Sequence, residues 1–145
     1  MEKLRFLTPE HIQTIQERYP LPVYVYSEEV LRQKARECLD FPNAYGLTVR
    51  YAMKANSNLN ILKIFDQEGL YIDASSSFEA HRAMEAAGIS PQKIQLTTQE
   101  FRYDLAKLIQ LGISYNATSL YQLQEYGKHH PGTEVSIRIN PGAGS

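Results

Sequence analysis

The chain has 145 residues, 43% hydrophobic and 21% charged, which fits one globular domain with a core and excludes a disordered or fibrous chain. A formal net charge of -1 gives no reason to expect nucleic acid or an anionic membrane as partner, and the single cysteine, Cys38, excludes an internal disulfide and fits a reducing compartment. No stretch has the length and apolarity of a membrane span, and MEKLRFLTPEH lacks the apolar run of a signal peptide, so the cytoplasm is the expected location.

Taken in order, Thr8-Pro9-Glu10 is a helix start: a capping hydroxyl, proline at the first helical position and an acid in the first turn. Ile12, Ile15 and Tyr19 follow on one face. Pro20 and Pro22 end that helix, and Val23 to Tyr26 (VYVY) predicts a short strand. Ser27 caps a second helix that runs to about Leu39 and stops before Pro42. Cys38, beside Ala35 and Leu39, is expected on its buried face.

From Val49 a rhythm sets in. Strands are predicted at VRYAM, LYID, KIQLT, ISYNA and EVSIRIN. Helices are predicted between them near residues 59–67, 78–87, 101–111 and 120–128. Gly69, Gly88 and Gly112 close the first three. Ser76 with Glu79, Thr97 with Glu100, and Ser119 with Gln122 have capping-box spacing. Alternating β and α elements imply a parallel sheet with right-handed crossovers.

Polar residues gather where these strands end: Lys54, Asp73, Thr98, Asn116 and Arg138. In VRYAMKANSN, period-two alternation puts Val49, Tyr51 and Met53 on one face and Arg50, Ala52 and Lys54 on the other. In barrels of parallel strands the C-terminal end is where chemistry is placed. An amine there, with the small Ala52 on its own face, leaves room for a flat aldehyde cofactor held as a Schiff base. The plainer alternative for Lys54 is a solvated lysine at a loop start. Asp73 reads equally as a turn acid, Glu79 is explained by its capping box alone, and Thr98 and Asn116 read as helix caps. Arg138 shares a face with Ser136 and Asn140. A guanidinium facing a barrel interior needs a partner, and Asp73 is the candidate. With one cysteine and four scattered histidines, no zinc spacing exists.

YAMKAN resembles the lysine motif of the fold-type III pyridoxal-phosphate decarboxylases, the family of the diaminopimelate, ornithine and arginine decarboxylases. LPVYVYSEEVLRQKA, DASSSFEAHRAMEAAGISPQKI and SIRINPGAGS resemble the family's flanking segments in the right order, most nearly those of the diaminopimelate enzymes. The resemblance implies an α/β fold: part of a TIM (β/α)8-type barrel, alanine-racemase-like, cut after about five strands. It divides the chain into a lead-in over residues 1–22 and a partial cofactor-binding barrel over residues 23–145. It implies pyridoxal 5'-phosphate as cofactor and an amino acid as substrate, with a homodimer in the full-length form. Lys54 becomes the Schiff-base lysine, Ala52 a neighbour of the cofactor ring, and Asp73, Glu79 and Arg138 polar residues around it.

Two departures matter. Where the diaminopimelate enzymes often carry Ser-Gly-Gly-Glu, this chain has Ser76-Ser77-Phe78-Glu79, which leaves room for a carboxynorspermidine decarboxylase or another diamino-acid decarboxylase. The chain also stops where the family's barrel continues, which implies an N-terminal fragment, weak or inactive by itself. A non-catalytic relative that acts by pairing with a longer subunit is the alternative from another class.

Overall fold

The computed structural model describes residues 6–100 and 104–142. Helix α1 (Pro9–Arg18) starts as its sequence predicts: Thr8 Oγ1 accepts from the His11 N–H at 3.2 Å, and the His11 ring returns the bond to the Thr8 N–H. Residues 20–26 are irregular, so the strand expected at VYVY is not formed. Among the described residues no strand runs beside that segment to pair its backbone. Tyr24 is 92% exposed, and β propensity has no effect without a neighbour to pack against.

Helix α2 (Glu28–Leu39) is capped by Ser27 and packs on α3 (Leu59–Glu68) through Leu31, Ala35 and Leu39. That i, i+4, i+8 stripe leaves Cys38 outside the contact, and the thiol is exposed, not buried as expected. Charge closes the same helix pair. Arg32 donates to Glu68 at 2.8 Å and Arg36 at 2.7 Å, and the two guanidiniums hold the Glu68 carboxyl far below its ordinary range, at about 2.

Five strands form the sheet: β1 (Arg50–Ala52), β2 (Tyr71–Ala74), β3 (Ile94–Leu96), β4 (Ser114–Ala117) and β5 (Ser136–Ile137). They lie in the order β1-β2-β3-β4-β5, every pair parallel. A doubly wound sheet would reverse direction partway along; this one advances strand by strand, the order of a barrel wall. Right-handed crossovers then put the helices on one face. They are α3, then α4 (Ser77–His81, continued by a π turn over Arg82–Ala86), α5 (Leu105–Gln110) and α6 (Leu120–His129). The predicted start of α5 at Phe101 lies outside the described residues.

Alternation along the strands separates two environments. Ile72, Ala74, Ile94, Leu96, Tyr115 and Ala117 are each at most 2% exposed and build the core with Leu62, Ala80, Ala83, Leu105 and Leu108. On the other face stand Arg50 and Ala52, Tyr71 and Asp73, Gln95 and Thr97, Ser114 and Asn116, Ser136 and Arg138, none of them buried. The register places Ala52 beside Asp73, Asp73 beside Gln95, and Asn116 beside Ser136.

Four strands are shorter than predicted, β3 and β4 by only one or two residues at their ends. β1 tightens into a 3-10 turn at Met53–Ala55, and β5 keeps two residues of the expected EVSIRIN run. Among the described residues β5 pairs with β4 alone, and Ile137 and Ile139 are 54% and 83% exposed, so little packing supports a longer strand. Tyr126 of α6 fixes its approach, donating to the Glu134 carbonyl at 3.0 Å. Gly69 ends α3 at φ 98°, a left-handed conformation that glycine adopts without the Cβ penalty.

Candidate active site

Lys54 stands on the 3-10 turn directly after β1. The adjacent Met53 is fully buried and anchors the turn in the core. The loop beyond is tied at three points. Tyr51 Oη donates to the Asn56 carbonyl at 3.2 Å, Asn56 Nδ2 donates to Tyr26 Oη at 2.9 Å, and Arg82 Nε donates to the Ser57 carbonyl at 3.1 Å. Asn58 then caps α3 by accepting from the Asn60 N–H at 2.9 Å. The flexible amine therefore rises from a fixed base.

Asp73 occupies the C-terminal part of β2 and Arg138 follows β5. The Arg138 N–H donates to the Ala117 carbonyl at 2.8 Å, which carries the ladder one residue past β5. Lys54, Asp73 and Arg138 line one cleft of about 390 Å³ at the C-terminal ends of the strands, with Ser75, Thr97 and Thr118 among their neighbours. An amine, a guanidinium, the two carboxylates of Asp73 and Glu100 and several hydroxyls thus line a common space of small-ligand size. A larger groove of about 550 Å³ runs between the lead-in segment and α2 and α3. Among the described residues its walls are mainly aromatic and aliphatic, whereas Lys54, Asp73 and Arg138 stand together in the smaller cleft.

The other expected residues are placed differently. Ala52 lies on the same sheet face, beside Asp73 in register, but does not line the cleft. Glu79 also stands back from it. Its Oε2 accepts from the Ser75 N–H at 2.7 Å, so it shapes the β2–α4 turn and touches the cleft only through Ser75. The expected pairing of Arg138 with Asp73 is not among the ion pairs of the described residues. Asp73 Oδ1 accepts instead from Thr97 Oγ1 at 2.6 Å, a charge-assisted bond from the neighbouring strand.

The family model for the pyridoxal binding domain of pyridoxal-dependent decarboxylases matches residues 30–145. The chain belongs to this family. Diaminopimelate decarboxylase of Buchnera aphidicola subsp. Schizaphis graminum is 33% identical over 138 residues, covering 93% of this chain and 32% of the relative. The Streptomyces coelicolor enzyme of the same name is 36% identical over 127 residues, covering 85% and 28%. The crystal structure of diaminopimelate decarboxylase from Helicobacter pylori, complexed with L-lysine, matches with a TM-score of 0.75 at 26% identity, over 90% of this chain and 34% of that one. The chain spans about a third of the length of the curated relatives it matches.

Within this family frame, three residues carry more of the site than their sequence context suggests. Thr97, read as a helix cap, does not form the expected box with Glu100; the Glu100 N–H donates to Thr98 Oγ1 at 3.2 Å. Asn116, also read as a cap, donates to Thr97 Oγ1 at 3.3 Å, while Ser119 caps α6. Gln122, 2% exposed, donates to the Thr98 carbonyl at 2.9 Å and so ties the β3 turn to α6. The signal for Thr97 and Asn116 was the alternation itself, which puts both on the face of Asp73. Gln122 carried no signal beyond its capping spacing.

Proposed function

We propose that this chain supplies the lysine-bearing part of a pyridoxal 5'-phosphate-dependent amino-acid decarboxylase, with diaminopimelate as the substrate of the whole protein. One observation carries the reading: the amine of Lys54 shares a cleft with Asp73 and Arg138 at the C-terminal ends of a sequentially ordered parallel sheet. The group fits the residues present, because an aldehyde needs a primary amine and an anionic cofactor needs cationic and hydroxyl neighbours. Lys54 would hold it covalently. Arg138 would meet its negative charge, and Asp73 would offer an acceptor to an N–H or ammonium. Ala52, small and next in register, would leave the space open, and Glu79 would act through the Ser75 turn. When bound, the cofactor supplies an electron sink for the pair left as carbon dioxide departs.

The substrate assignment rests on the shared name of the curated relatives. The division into a lead-in over residues 1–22 and a barrel part over residues 23–145, the homodimer and the cytoplasmic location belong to the same proposal. Among the described residues no helix is long and apolar enough to cross a membrane.

The test is reduction with borohydride in the presence of pyridoxal phosphate, followed by peptide mapping. Label concentrated on Lys54, and lost when Asp73 and Arg138 are both replaced by alanine, is the expected result. Label spread evenly over the lysines would remove the cofactor reading. Release of carbon dioxide from a panel of diamino acids by the whole protein would then decide the substrate.

A further inference from the structure

We propose that Thr97 is a positioning residue for the cleft: its hydroxyl fixes Asp73 so that one carboxylate oxygen stays engaged and the other faces its ligand. The inference rests on the functional reading above and assigns a role that the lysine motif does not contain.

The geometry is a relay along the open face of the sheet. Asn116 Nδ2 donates to Thr97 Oγ1 at 3.3 Å, and Thr97 Oγ1 donates to Asp73 Oδ1 at 2.6 Å. The hydroxyl has one proton. With Asn116 supplying an N–H to its oxygen, that proton is directed at Asp73. Oδ1 is thereby occupied, and among the described residues Oδ2 has no hydrogen-bond donor. Asp73 becomes a one-sided acceptor for an ammonium or N–H group in the cleft it lines with Lys54.

The backbone that carries Thr97 is itself held. The Thr97 N–H donates to the Ala74 carbonyl at 2.8 Å, continuing the β2–β3 ladder. The next carbonyl, of Thr98, accepts from Gln122 Nε2 at 2.9 Å and from Thr118 Oγ1 at 3.1 Å. Thr98 is 5% exposed and Gln122 2%, so water does not compete for the Gln122 bond. A hydroxyl on so constrained a backbone fixes a carboxylate rotamer with little entropy left to lose.

Two measurements test the proposal in the intact chain. The first is a thermal-melting cycle with Thr97→Val, Asp73→Ala and the double variant; valine keeps the branched shape and removes the donor. Non-additive shifts, with the double variant melting close to the lower single variant, are expected. Additive shifts overturn the contact. The second is the rate of borohydride-trapped pyridoxal phosphate labelling at Lys54. Thr97→Val should slow it about tenfold, the loss expected for one charge-assisted hydrogen bond, and Thr97→Ser should restore it to within about twofold. Labelling of the valine variant at the wild-type rate overturns the positioning role. If wild-type protein shows no preference for Lys54, the cofactor reading fails and takes the role with it. The melting cycle reports on the Thr97–Asp73 contact by itself, so the two failures are told apart.

Discussion

The turn after β2 and the turn after β4 solve one problem with two chemistries. Both read polar residue, alanine, hydroxyl, serine: Asp73-Ala74-Ser75-Ser76 in the first, Asn116-Ala117-Thr118-Ser119 in the second. In each the serine accepts from the N–H three residues on, at 3.2 Å. In each the residue at that third position reaches back past the cap to the preceding N–H, at 2.7 Å. The first turn uses Glu79 for this and the second uses Gln122. Glu79 has only to accept. Gln122 must also donate, because its Nε2 holds the Thr98 carbonyl of the adjoining turn. A carboxylate cannot do both. The choice of acid or amide at matched positions is therefore set by whether the turn stands alone or braces its neighbour.

The sharpest way to break this contrast is to exchange the two groups. Gln122→Glu places a carboxylate oxygen against the Thr98 carbonyl at a site 2% exposed, and should cost about 3 kcal/mol of stability, the price of a buried charge with an unmatched acceptor. Glu79→Gln keeps the acceptor at a half-buried site and should cost about 0.5–1 kcal/mol. Urea denaturation of the two variants reads the difference. Equal losses would mean that the donation from Gln122 contributes nothing.

Removing the shared part should erase the contrast. Ser76→Ala and Ser119→Ala each delete one cap of the same length and should each cost about 1 kcal/mol. Denaturation midpoints displaced by similar amounts are the expected outcome. A much larger loss at Ser119 would show that its cap and the Gln122 brace act as one unit.

These pairs also show which parts of the molecule local sequence could reveal. Ser27, Ser76 and Ser119 announce their helices because a cap is a contact between residues three apart. The parallel sheet was legible from alternation, and so was the gathering of Lys54, Asp73 and Arg138 at strand ends. Several expectations failed where the deciding contact lies further away in the chain. VYVY has strand composition but, among the described residues, no strand beside it. Thr97 has cap spacing to Glu100, yet a carboxylate on the next strand takes its hydroxyl. Arg138 and Asp73 have complementary charge and one cleft, but no ion pair or hydrogen bond joins them among the described residues. Charge and propensity are written locally, whereas the winner among competing partners is settled by tertiary distance.

The smallest effect separates the neutral brace from the charged clip between α2 and α3. The bonds of Gln122 and Thr118 involve no titrating group. Glu68 does titrate, and Arg36 and Arg32 depress its carboxyl from 4.5 to about 2. A depressed folded-state value means that the unfolded chain takes up the proton first. The stabilisation by Glu68 is therefore full above about 4.5 and is lost as pH falls toward about 2. Its side chain is 11% exposed but its Arg36 partner is 63% exposed, so solvent screens the pair and the effect is modest. Amide protection in α2, taken relative to the intrinsic exchange rate at each pH, should fall across that window while protection in β3 and β4 does not. Glu68→Gln should remove most of the pH dependence in α2 and leave the sheet unchanged. If α2 and the sheet lose protection together at every pH, the clip is not a separate unit, and the two helices open only when the whole wall does.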